Sequence, residues 1–235
     1  MLCTSFSRKK KRLCFKYEMN NNVLVRNNTM RDLGVIFDTQ LTFRNHILNI
    51  SNRAFQLYGF IVRNCKYFVN INCIKTLYFT YVRSILEYGS VVWSPMYSNH
   101  KYTIEKVQNK FLRYLYYKDT GIYDMYISKD QLKLKYSINT LENRRMFSSV
   151  MFLYKLLHNE IDDMSLIFKL NFNVPIRRTR NPATFYTQSA RTNHFKNSPI
   201  NVMCQLANEI RLDCDIFHAS KRELVRVLTD CFSLC

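Results

Sequence analysis

The chain has 235 residues, of which 47% are hydrophobic, 14% aromatic and 22% charged, with only 4 Gly and 4 Pro. That profile excludes a disordered or collagen-like chain, and so few breakers argue against a tight-turned all-β sandwich or a Gly-rich phosphate loop. The 35 Lys and Arg outnumber the 17 Asp and Glu, giving a formal net charge of +18; self-repulsion of that size costs stability and points to a polyanionic partner, nucleic acid first.

The opening reads as strands. Leu13, Phe15, Tyr17 and Met19 alternate with Cys14, Lys16 and Glu18, a period of two. Asn20, Asn21 and Asn22 signal a turn, with a return strand expected at 23–25. Residues 3–6 are expected to pair earlier, and 7–12 to form a basic loop. Residues 33–37 make an apolar run between Asp32 and Asp38, expected as a strand buried on both faces.

From Thr42, a candidate N-cap, the period becomes helical. Phe43, Ile47, Ile50, Ala54, Leu57 and Ile61 form one stripe, with His46, Asn49, Arg53, Gln56 and Arg63 on more polar faces. A second helix is predicted over about 72–93, with Ile74, Leu77, Tyr78, Tyr81, Ile85 and Tyr88 inward and Pro95 as its stop. A third is predicted over about 101–117, with Ile104, Val107, Phe111 and Leu115 inward. Lys106, Lys110, Arg113 and Tyr117 then form an exposed basic stripe. Three helices with short links suggest a small bundle. A break follows at Gly121. A fourth helix is expected over about 140–158, with Phe147, Val150, Met151, Tyr154 and Leu157 inward. Residues 171–191 look irregular and hold Arg177, Arg178 and Arg180. Two shorter helices close the chain, near 200–210 and 220–232.

Cys3, Cys14, Cys65, Cys73, Cys204, Cys214, Cys231 and Cys235 include no C-x-x-C pair, and no secretory signal precedes them. Reduced thiols in an intracellular compartment are expected. No apolar run is long enough to span a membrane. Cys214, His218, Cys231 and Cys235 have zinc-like spacings, but apolar neighbours and the chain-end position of Cys235 argue against a metal. His46 reads as a structural hydrogen-bonder and Trp93 as a core anchor. Tyr114, Tyr116 and Tyr117 read as core edges before base stackers. The run at 8–12 reads as a solvated loop before an import signal.

Several words look familiar. Asp32-Leu-Gly-Val-Ile-Phe-Asp38, Leu41-Thr-Phe43 with His46-Ile47, Tyr81-Val-Arg-Ser-Ile-Leu-Glu-Tyr88, Val92-Trp-Ser-Pro95 and Ile104-Glu-Lys-Val-Gln-Asn-Lys-Phe111 stand in that order. Leu141-Glu-Asn-Arg-Arg145, Phe152-Leu-Tyr-Lys-Leu-Leu157 and Val174-Pro175 follow. The set resembles the C-terminal part of reverse transcriptases from jockey-like non-LTR retrotransposons, most specifically over 31–117. The resemblance implies the end of a palm with primer-grip strands over 1–41. It implies a thumb-like three-helix bundle over 42–118 and a helical region over 119–235. Leu33 and Gly34 then look like the primer grip.

One departure limits the function. Two-metal phosphoryl transfer needs clustered carboxylates, and the family draws them from a Tyr/Phe-x-Asp-Asp turn absent here. The adjacent pair Asp162-Asp163 reads as a helix cap. Magnesium would belong to a palm that this sequence lacks, so no cofactor is expected in the chain. The expectation is an α+β, mostly α protein: a truncated piece of an RNA-directed DNA polymerase, inactive alone. Its retained role would be binding an RNA–DNA or DNA duplex, together with the rest of a polymerase. Lys106, Lys110 and Arg113 are the candidate contacts, with Arg53, Arg177 and Arg178. A protein-interaction module or a relic without function is the alternative.

Overall fold

The computed structural model describes residues 17–24, 27–124, 126–174, 183–187, 189, 191–210 and 215–232. The expectations for residues 3–16 and Val25 lie outside those residues, as do those for Arg177, Arg178, Arg180, Cys214 and Cys235. The described chain is α+β and mostly α.

Two hairpins open it. Strands β1 (Glu18–Met19) and β2 (Asn22–Val23) pair antiparallel, with Glu18 opposite Val23. The turn is Asn20 and Asn21, both at positive φ, which asparagine tolerates best of the non-glycine residues. Tyr17, Met19 and Val23 stay exposed, so this hairpin presents an uncovered apolar edge. Strands β3 (Thr29–Asp32) and β4 (Val35–Asp38) pair with Asp32 opposite Val35. Residues 33–37 are therefore not one buried strand. Leu33 and Gly34, at φ 44° and 87°, form the two-residue turn. Only Val35 of the run is fully buried.

Helix α1 (Arg44–Asn64) buries Ile47, Ile50, Ala54 and Ile61, the stripe that its periodicity predicts. Thr42 is not its cap. Phe43 occupies that position in the left-handed region, and the Asp38 carboxylate takes its N–H. The second predicted helix is broken into pieces: α2 (Ile71–Leu77), a π-helical stretch (Tyr78–Arg83), α3 (Ser84–Glu87) and α4 (Ser90–Trp93). A π turn holds more residues than an α turn, so the inward stripe slips in phase. Ile74, Tyr78, Val82 and Leu86 become the buried line, at steps of four. Tyr81 and Tyr88, expected inside, are 53% and 60% exposed. Gly89, at φ 61°, then turns the chain into α4.

Helix α5 (Ser98–Thr120) packs along α1 and ends on Gly121 in the left-handed conformation. Tyr78 stacks on Phe111, with ring centroids 3.8 Å apart. A helix absent from the sequence reading, α6 (Lys129–Tyr136), covers the end of α5. It buries only Leu132 and Tyr136, too short a pattern for its period to be read. The first core thus runs from Val35 to Leu141.

Helix α7 (Leu141–Leu157) joins the two cores: Leu141 belongs to the first, while Val150, Leu153, Tyr154 and Leu156 belong to the second. Phe147, Met151 and Leu157, expected inside, are only partly buried. The second core is closed by α10 (Pro199–Ile210) and α11 (Lys221–Cys231), reached through the short α8 (Met164–Ile167) and α9 (Asn193–Lys196). Among the described residues no helix is long and apolar enough to cross a membrane.

Candidate nucleic-acid interface

The β3–β4 turn is seated on the bundle by a chain of specific contacts. Leu33 is 84% exposed at its tip, but its carbonyl accepts the Tyr88 hydroxyl at 3.0 Å. A Cβ at Gly34 would press on the Tyr88 ring at 3.4 Å. The Tyr88 carbonyl accepts the indole N–H of fully buried Trp93 at 2.7 Å. The Trp93 and His46 rings meet edge to face, centroids 5.0 Å apart. The His46 Nδ1 accepts the Ile36 N–H at 3.3 Å, which leaves the ring proton on Nε2. Burial first, and the Arg31 charge second, hold the His46 pKa below its ordinary 6.5. His46 is thus a structural hydrogen-bonder that locks the hairpin to α1. Residues spread from Leu33 to Trp93 meet in this one node, which gives each a physical reason to be there.

A second surface lies along α1 and α5. Lys110 Nζ stands 5.0 Å over the Phe55 ring, the rings of Tyr58 and Tyr114 meet at 6.3 Å, and Lys118 donates to the Lys66 carbonyl at 2.8 Å. Those pairs advance together, so the two helices run in the same direction. Lys106, Lys110, Arg113 and Tyr117 recur along the flank of α5 beside α1, with Lys106, Lys110 and Tyr117 exposed. Tyr114 is half-buried against Tyr58, which makes it a core edge. No carboxylate among the described residues pairs with Lys106 or Lys110.

The reason is a separation of charge. Glu87 and Glu105 are the acids between residues 42 and 118. Glu87 holds Arg144 of α7 through both carboxylate oxygens. Glu105 accepts the Glu142 N–H at the start of α7 at 2.9 Å, and burial pushes its carboxyl upward. Both acids face α7, and Asp119 at the end of α5 takes Lys135 of α6, so the acids nearest in sequence to Lys106 and Lys110 are engaged elsewhere. The sequence shows how few acids there are; it does not show that both turn inward.

The structure does not gather every candidate residue. At 3.6 residues per turn, Arg53 lies about 160° around α1 from Phe55, away from the Lys110 flank. It follows His46 by about two turns and shares the hairpin's side. The candidates thus form two groups, Leu33, Gly34 and Arg53 in one and Lys106, Lys110 and Arg113 in the other. Asp163 caps α8 by accepting the Ser165 and Leu166 N–H groups. His218 bonds Asp215 at 2.9 Å, and among the described residues no group of three His, Cys, Asp or Glu side chains is placed to hold a metal.

An uncharacterized protein of Caenorhabditis elegans is 37% identical to this chain over 68 residues, which cover 29% of this chain. The match spans 34% of that protein, about a third of its length. No family model and no solved structure matches the chain.

Proposed function

We propose that the chain binds a template–primer duplex as the primer-grip and thumb-like part of a non-LTR reverse transcriptase. The observation that carries this reading is the charge separation around α5. Two acids turned toward α7 leave Lys106 and Lys110 without a carboxylate partner among the described residues, on a flank that a phosphate backbone can follow. Contacts of this type position a duplex without reading its sequence. The docked turn at Leu33 and Gly34 supplies a second contact, on the side of α1 that carries Arg53. With no Tyr/Phe-x-Asp-Asp turn in the sequence, the reading assigns binding to the chain and no nucleotidyl transfer.

Fluorescence anisotropy with a labelled DNA duplex over a salt series tests it. The wild-type log affinity falls linearly with log salt, and Lys106→Ala with Lys110→Ala lowers the slope by about 1.8, or about 0.9 per phosphate contact. Lys221→Ala, which removes a cation paired with Glu160 on the second core, leaves the slope unchanged. No duplex binding at low salt, or a slope indifferent to the double variant, refutes the reading.

A protein-docking module is the second reading. Phe168 is 79% exposed. Nearby, the rings of Phe172 and Phe217 meet at 6.0 Å and both are exposed, an apolar surface of the kind that marks partners. The same titration separates the two, since a module of that kind shows no salt-dependent duplex affinity.

A further inference from the structure

The two long helices of the first core bring their C-terminal ends to one place. Lys118 Nζ, in the last turn of α5, donates to the Lys66 carbonyl just past α1 at 2.8 Å. The chain beyond each helix leaves large side chains in water. Tyr67 follows α1 and is 85% exposed; Tyr123 follows α5 and is 65% exposed. Lys66 Nζ stands 5.7 Å from the centroid of the Tyr67 ring. The pKa of the Tyr58 hydroxyl is pushed up to about 12 by burial first, then by the Tyr114 and Tyr123 hydroxyls beside it. Tyr123 therefore lies back over α1.

Neither Tyr67 nor Tyr123 belongs to the first core, and exposed apolar groups gathered at one end mark a contact surface. The patch continues the α5 flank. Tyr58 donates to the Lys110 carbonyl at 3.3 Å, and exposed Tyr117 ends the line that starts at Lys106 and Lys110.

Charge narrows the partner. Residues 65–69 and 117–124 carry Lys66 and Lys118 against Asp119 and Asp124. Asp119 is held by Lys135, and the Asp124 carboxylate accepts the Tyr126 N–H at 2.8 Å. A dry protein interface would desolvate both ammonium groups, and Lys is depleted from interface cores. A strand of unpaired nucleotides uses both features, a π face for a base and a cation for the backbone.

We infer that this end binds unpaired nucleotides running on from the duplex. Bases stack on Tyr67 and Tyr123, and phosphates lie beside Lys66 and Lys118. The inference rests on the duplex reading for its polyanionic ligand and adds that the ligand is single-stranded here.

Fluorescence anisotropy of the full chain tests it with three labelled probes. They are a blunt DNA duplex, the same duplex with a dT overhang of about eight nucleotides placed 5′ or 3′, and free dT of that length. The better overhang tightens binding at least about fivefold over the blunt duplex, the low end of one stacked base. Tyr67→Ser with Tyr123→Ser removes that gain and leaves blunt-duplex affinity unchanged. Tyr67→Phe with Tyr123→Phe keeps the gain, because the ring stacks and the hydroxyl does not. Equal affinity for blunt and overhung duplexes overturns the inference and leaves the duplex reading standing. An overhang gain that survives the serine pair also overturns it. Failure of the blunt duplex to bind refutes the duplex reading, while dT binding that the serine pair abolishes still upholds this one. No affinity for any probe overturns both and assigns the patch to a protein partner.

Discussion

In the first core a turn and a helix break are held by residues distant in sequence; in both cores most helix starts are fixed by residues two or three positions away. The Tyr88 hydroxyl reaches back to Leu33, the Ile36 N–H reaches forward to His46, and Gln108 donates to the Asn139 carbonyl at 2.7 Å. Around the second core, Thr140 caps α7 through Asn143, Asp163 caps α8, Thr192 caps α9 through Phe195 and Ser220 caps α11 through Glu223. Distant contacts place a hairpin and a helix break where local preference does not put them. Local caps only mark where a helix starts. The hairpin and the broken helix of the first core are therefore hidden from local preference, whereas α7, α10 and α11 stand where the sequence leads one to expect helices.

The largest expected effect breaks the node of the first core. Trp93→Ala removes a fully buried ring and the bond to Tyr88, at a cost of about 3–5 kcal/mol in urea denaturation. Amides of β3 and β4 should lose hydrogen-exchange protection with it; a hairpin that stays protected contradicts the node. Leu228→Ala, in the second core, should cost about 2–5 kcal/mol. Its exchange effect should stay within α10 and α11 and spare α5. Equal acceleration in α5 means the two cores unfold as one, and the comparison fails.

The caps sharpen the contrast. The Asp38 carboxylate accepts from the N–H groups of Gln40, Thr42 and Phe43 and from the Thr42 hydroxyl, whereas the Ser220 hydroxyl accepts only from Glu223 among its described contacts. Asp38→Ala should therefore cost clearly more than Ser220→Ala, whose expected loss is about 1 kcal/mol. Matching melting temperatures for the two variants would show that the four-bond cap of Asp38 is no stronger. Leu33 pays the strain of a left-handed conformation, so Leu33→Asn should stabilise by up to about 1 kcal/mol, read by thermal melts. If the tip contacts a duplex, the same change weakens duplex binding.

The smallest effect is on pH. The native state keeps His46 neutral with its pKa below 6.5, while the unfolded chain takes a proton near 6.5. Stability is thus complete above that value and declines as pH falls below it toward the native pKa. His100, also lowered by burial, adds to the slope. His46→Gln should flatten it in part, measured as melting temperature between about pH 7 and 5; an unchanged slope places the titration elsewhere.

The sequence determined the helix faces of α1 and α5 and the positions of α10 and α11, because an apolar stripe at helical spacing has one way to be buried. It also determined the basic stripe on α5 and the turn at Asn20 and Asn21. It did not determine the π-helical stretch, since stripes with Tyr81 and Tyr88 inside or outside are nearly as regular, and only packing against α1 chooses between them. The turn at Leu33 was hidden for a related reason: an apolar run reads as a strand until its tip is seen held by Tyr88. Tertiary structure alone decided where the acids around α5 are engaged and that the ends of α1 and α5 meet. Sequence counts charges, but only the placement of α7 fixes which ones neutralise each other and which are left exposed.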